Sequence, residues 1–170
     1  MVFFFLFSCM KKDTFIIIKN NKKEIPKNIF IKTSLLYKEK GILKFLIYSP
    51  VIKEYASYTL FPNGLNLFIY DQNTNKYTYL SADWVKSINK IFYHIKGNIK
   101  IMNSKGYFLK TEEIFWNRKD KKIFNKKYTT IISHSDKTDK IILHATNGIE
   151  ATEDLKKIRL KSISGTLPVK

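Results

Sequence analysis

The sequence predicts an all-β domain, and three observations carry that prediction. From Asn28 onward, apolar and aromatic runs of 5 to 12 residues alternate with clusters of turn residues. Ten Tyr, 13 Phe and 24 Ile favour pleated, half-buried surfaces. No segment of ten or more residues carries a 3.6-residue apolar stripe with caps, as an amphipathic helix requires.

The chain of 170 residues suits one domain and can bury roughly 70% of its unfolded surface in one core. Residues 2–7 are wholly apolar, and Leu6-Phe7-Ser8-Cys9 has the form of a lipobox, with Leu three before the Cys and a small residue just before it. Residues 1–9 therefore read as a short lipoprotein signal in which Cys9 is lipidated, or as a membrane anchor; the bland alternative is a greasy amino terminus with an incidental thiol. The run falls short of the ~20 apolar residues that span a bilayer as a helix. A single Cys excludes an intrachain disulfide framework. Residues 10–27 are basic and Asn-rich, and Pro26 discourages a continuing helix, so they read as a tether.

Residues 28–170 form the β domain. Turn clusters fall at 38–41, 62–64, 71–76, 87–90, 97–98, 103–106, 117–122, 125–127 and 135–140. Between them period-2 alternation puts Leu43, Phe45 and Ile47 on one strand face, Leu65, Leu67 and Ile69 on another, and Leu80, Ala82 and Trp84 on a third. About eleven short strands at this spacing mean a sandwich, jelly roll or open barrel.

Self-similarity suggests that the strands form repeated units. Leu80-Ser81-Ala82 is matched 29 residues later by Leu109-Lys110-Thr111, and 34 residues after that by Leu143-His144-Ala145. Each is followed by a turn and a Lys-Ile pair: Lys90-Ile91, Lys122-Ile123 and Lys157-Ile158. A unit of two or three strands cannot bury its apolar face alone, so neighbouring units must stack. Such a stack encloses an elongated apolar slot and leaves end strands with unpaired backbone groups, which pair with another chain unless blunted.

The formal net charge is +17, from 31 Lys plus Arg against 14 Asp plus Glu. Of the cations 29 are Lys and only Arg118 and Arg159 are Arg, alongside 24 Ile and 13 Asn. Lys, Ile and Asn share AT-rich codons, so the charge reads first as codon drift onto a solvated surface. Nucleic-acid binders lean on Arg for bidentate contacts, and no nucleic-acid partner is expected.

Enzyme chemistry finds no foothold. His94, His134 and His144 fall in different predicted strands, and neither HExxH nor a Cys cluster accompanies them. Glu112-Glu113 are adjacent, so strand geometry points them to opposite faces. No cofactor is expected.

Several stretches resemble the LptC family, the periplasmic component of lipopolysaccharide export, in its Bacteroidetes form. They are Ser49-Pro50-Val51-Ile52-Lys53-Glu54-Tyr55, Tyr58-Thr59-Leu60-Phe61-Pro62-Asn63-Gly64-Leu65 and Leu80-Ser81-Ala82-Asp83. Ile95-Lys96-Gly97-Asn98-Ile99-Lys100-Ile101, the segment from Gly106 to Trp116, and Ser164-Gly165-Thr166-Leu167-Pro168-Val169 complete the ordered set, roughly over 28–169. The resemblance implies a boat-shaped antiparallel β-jellyroll of the LptA-like kind, anchored at the inner membrane on its periplasmic side. It further implies lipopolysaccharide as cargo, an inner-membrane ABC transporter as donor, an LptA-like β-jellyroll as acceptor through edge-strand pairing, and no catalytic residues. The truncated-looking anchor and the Lys content depart from the family.

On that reading the inward, lipid-contacting candidates are Leu43, Phe45, Ile47, Leu67, Ile69, Leu80, Trp84, Ile99, Ile101, Leu109, Ile114, Trp116, Ile131 and Leu143, with core contact the bland alternative for each. Lys at the rim would meet phosphates as point charges. Two rival readings are a basic β-barrel binding single-stranded nucleic acid through Lys and aromatics, and a structural β-lipoprotein with a closed core.

Overall fold

The computed structural model describes residues 24–71, 76–134 and 140–166, and these contain fourteen strands and no helix. The expected lipobox at Cys9 and most of the tether lie outside the described residues. The first seven strands are β1 (Asn28–Glu39), β2 (Ile42–Glu54), β3 (Tyr58–Phe61), β4 (Leu65–Tyr70), β5 (Tyr77–Ala82), β6 (Trp84–Ile88) and β7 (Phe92–Met102). The rest are β8 (Phe108–Asn117), β9 (Lys122–Phe124), β10 (Thr129–His134), β11 (Lys140–Ala145), β12 (Ile149–Thr152), β13 (Ile158–Leu160) and β14 (Ile163–Thr166). All pair antiparallel in one hydrogen-bonded network.

Three long strands change partners along their length, and this folds the network into two facing layers. In β2, residues 45–48 pair with β4 while 53–54 pair with β3. In β7, residues 92–96 pair with β6 while 100–102 pair with β5. In β8, residues 108–111 pair with β10 while 115–117 pair with β9. One layer thus holds β3, β6, the first half of β7, the second half of β8, β9, β12 and β13. The other holds β4, β5, the second half of β7, the first half of β8, β10, β11 and β14. The β1–β2 hairpin closes one end and serves both. The result is an antiparallel, jellyroll-like β sandwich.

Each crossing has a local polar cause. At the β2 crossing, Ser49 donates through Oγ to the Gly64 carbonyl at 2.8 Å. At the β7 crossing the ladder shifts register between Lys96 and Ile99. There Asn98 donates through Nδ2 to Asp83 at 2.6 Å, and the Asp83 N–H donates to the Gly97 carbonyl at 3.0 Å. Gly97-Asn98 is therefore a bulge inside one continuous strand and not the strand break its composition suggests. At the β8 crossing, buried Asn125 donates through Nδ2 to Thr111 Oγ1 (2.9 Å), the Glu113 carbonyl (2.9 Å) and Thr129 Oγ1 (3.0 Å). Its Oδ1 accepts from the Ile149 N–H at 2.9 Å.

Register aligns the repeated leucines. Leu80 pairs with Ile101, Ile101 with Leu109, Leu109 with Ile131, and Ile131 with Leu143, so the three repeat leucines share one transverse row on the inner face. The Lys-Ile pairs are less equivalent: Lys90 and Ile91 lie in a turn, Lys122 and Ile123 lie in β9, and Ile158 opens β13 after Lys157.

Candidate functional site

The inner faces of the two layers enclose a space that changes character along its length. Toward the β1–β2 end it is filled. Phe45, Ile47, Leu67, Leu80, Val85, Tyr93 and Trp116 surround a void of only about 30 Å³. Trp116 packs edge-on to Phe45 at 6.2 Å and stacks on Tyr93 at 4.8 Å. The Arg118 guanidinium then lies 4.4 Å from the Phe45 ring centroid and 5.4 Å from that of Tyr37, capping this cluster with a cation.

At the opposite end the space opens. A cavity of about 330 Å³ is lined by Tyr107, Ile131, Ser133, Ile141 and Leu143 from one layer and by Leu155, Lys156, Ile158 and Leu160 from the other. Two features keep it open. The residue that pairs with Leu143 across from β14 is Gly165, which has no side chain to project inward. Moreover, β13 and β14 end the two layers without pairing to each other, whereas β1 and β2 tie the layers together at the other end.

Beside this apolar slot lies a polar recess of about 510 Å³, which shares Lys156 with it. Lys76, Lys105, Lys121 and Lys156 line the recess together with Asp71, Glu153 and Asp154. Lys156 pairs with Asp154 at 3.0 Å. Glu153 accepts from the Trp116 indole N–H at 3.2 Å, and burial holds its carboxyl above the usual carboxylate range. An apolar slot with a cation-bearing mouth suits a molecule with a greasy end and an anionic end.

The inward candidates separate into groups. Ile131 and Leu143 line the open slot. Ile69 lines the polar recess. Phe45, Ile47, Leu67, Leu80 and Trp116 border the filled end. Ile99, Ile101, Leu109 and Ile114 are 0–1% exposed and belong to the core that joins the two ends, while Leu43 is half-buried.

Trp84 requires correction. Alternation from Leu80 and Ala82 places it inward, but a bend at Asp83 separates β5 from β6 and shifts the parity by one. Val85 becomes the buried residue, at 1% exposure, and Trp84 stands on the outer face. There its ring lies edge-on to His94 at 5.7 Å, with the Lys96 ammonium 5.7 Å from its centroid. Glu112 and Glu113 also depart from simple alternation. Thr111 and Ile114 are buried at 3% and 0%, so both carboxylates face outward where β8 crosses between layers. Glu112 accepts from the Asn98 N–H, and Glu113 binds His94 Nε2 at 2.7 Å.

Leu155, Ile158 and Leu160 are slot residues missing from the inward candidates. Ile158 and Leu160 show the alternation of a strand, but three residues are too few for periodicity to register. Among the described residues, no group of three or more His, Cys, Asp or Glu is placed to hold a metal ion, and no helix is long and apolar enough to cross a membrane. No family model matches this chain, and no curated protein matches it at a significant level.

Proposed function

We propose that the protein is a periplasmic lipid carrier of the lipopolysaccharide-export type, held at the inner membrane, which shelters an acyl tail in the open slot and hands the lipid to another β-module. The observation that carries this reading is the juxtaposition of the 330 Å³ apolar slot and the Lys-lined recess, joined at Lys156. A tail segment of about six methylenes sheltered there is stabilised by about 5 kcal/mol relative to water, at ~0.8 kcal/mol per methylene. Lys76, Lys105 and Lys121 are then positioned to meet phosphate groups on the head. A lipid with several tails needs more room than one slot of this volume.

The same reading assigns the partners to strand edges. Among the described residues β1 pairs with β2 along one edge, and its other edge is offered to a donor or acceptor β-module. At the other end β14, among the described strands, pairs with β11 alone. The closed-core lipoprotein is the second reading, and the filled end around Phe45 and Trp116 favours it for that half of the molecule.

Photo-crosslinking in living cells tests the carrier reading. A crosslinker at Leu143 should capture lipopolysaccharide, whereas one at Ile101, only 1% exposed, should not. Absence of lipid adducts from Leu143, with the protein folded and expressed, would leave the closed-core reading standing.

A further inference from the structure

The outer face of the layer built on β4, β5, β10 and β11 carries an unbroken apolar stripe. Phe68 pairs with Tyr79, Tyr79 with Met102, Met102 with Phe108, Phe108 with Ile132, and Ile132 with Ile142. Six successive strands thus place a large apolar or aromatic residue at the same level, over about 24 Å at ~4.8 Å per strand. Leu46 and Leu36 continue the row onto β2 and β1. These residues are not core. They face away from the inner row of Leu80, Leu109 and Leu143, and Met102 is 47% exposed. Edge-on and tilted contacts of Phe68 with Tyr48, Tyr77 and Tyr79, at 5.2–6.1 Å, pave one end with rings.

The neighbouring row supplies the charge. It runs Asn66, Ser81, Lys100, Lys110, Thr130 and His144, again directly paired. Lys100 and Lys110 stand opposite each other on adjacent strands, an arrangement that is destabilising in water. Neither makes an ion pair with any described residue. No carboxylate occurs in the stripe or in this row among the described residues. The outer face of the opposite layer lacks this pattern: its corresponding row reads Lys86, His94, Phe115, Phe124, Glu150 and Arg159.

We propose that this face docks on the surface of an anionic lipid bilayer, with the stripe at the headgroup–acyl boundary and Lys100 and Lys110 on the headgroup phosphates. Protein interfaces are depleted of Lys at their cores, whereas a bilayer surface accepts an apolar band, ring-bearing Tyr and flanking Lys together. Anionic headgroups relieve the Lys100–Lys110 repulsion that the free protein must carry. The central strands of this face have partners on both sides, so contact here is made by side chains and not by strand addition.

The full-length chain is tested on vesicles of phosphatidylcholine with or without phosphatidylglycerol, the acyl chains carrying bromine as a fluorescence quencher. Met102→Trp adds an indole to the stripe, and the unmodified protein, with Trp84 on the opposite outer face and Trp116 in the interior, is the reference. The added indole should be quenched at least twofold on the anionic vesicles while the emission of the unmodified protein is spared. Lys100→Glu with Lys110→Glu should lower partitioning onto anionic vesicles at least tenfold and leave that onto neutral vesicles unchanged. If the chain sediments with anionic vesicles but the added indole stays unquenched, the bound face is another one and the proposal fails. It fails equally if the full chain does not sediment, or if the double Lys variant binds as well as the unmodified protein.

Discussion

Asn125→Ala is the perturbation whose cost is most directly read from the structure. Asn125 is 2% exposed and sits where β8 passes from one layer to the other. Its amide group gives two hydrogens to three acceptors, Thr111 Oγ1, the Glu113 carbonyl and Thr129 Oγ1, so one of these is shared. Its Oδ1 is the acceptor for the N–H of Ile149, a residue 0% exposed. Truncation to Ala removes the two donated hydrogen bonds at roughly 1 kcal/mol each and strands the Ile149 N–H, which costs a further 1–3 kcal/mol. The expected loss is about 4 kcal/mol, a large part of the 5–15 kcal/mol by which domains are stable. Urea unfolding followed by circular dichroism should show a midpoint lower by about 2 M for a slope near 2 kcal/mol/M, with the slope unchanged. Asn117→Ala is the matched control, because Asn117, at the end of β8, makes three solvent-exposed hydrogen bonds of similar length. That variant should lose less than about 1 kcal/mol. Equal losses in the two variants would refute the reasoning, since burial and not bond count is what separates them.

Four further variants have expected outcomes. Glu153 is raised by burial, so its neutral form is favoured in the folded protein: the stability this contributes is complete below its unfolded pKa of about 4.3 and disappears as pH rises through the folded value. Glu153→Gln, which can still accept from Trp116, should therefore raise the urea midpoint at pH 7, and the gain should vanish near pH 4. Glu113 shifts the other way, lowered chiefly by its hydrogen bond to His94. Its contribution is present above about pH 4.3 and is lost as pH falls through the folded value, so the midpoint of the unmodified protein should drop more steeply in acid than that of Glu113→Gln. Gly148→Ala should cost about 3 kcal/mol, because at φ +87° its Cβ would press into the backbone of Asn125 and Lys126. Gly41→Ala, at φ +80° with nothing within 4 Å, should cost only about 1 kcal/mol in the same thermal or urea melt.

The sequence by itself determined that the domain is all-β, that most of its turns fall where Gly, Asn and Lys cluster, and that Leu80, Leu109 and Leu143 hold equivalent places. Those properties are local. Period-2 alternation and turn chemistry act within a few residues, and each strand carries its own copy of the signal. The crossings of β2, β7 and β8 are not local, because a strand that changes layers keeps its extended backbone and its composition. Only the tertiary pairing shows that Gly97-Asn98 is a bulge, that the bend at Asp83 turns Trp84 outward, and that β8 sets Glu112 and Glu113 on the same outer surface. The division of the interior was equally out of reach. Leu80 and Leu143 read alike as inward leucines, yet one is packed under Trp116 and the other borders an open slot. What decides between them is the residue across the sheet and the partner of the last strand: Gly165 opposite Leu143, and no hydrogen bond between β13 and β14 to draw the two layers together.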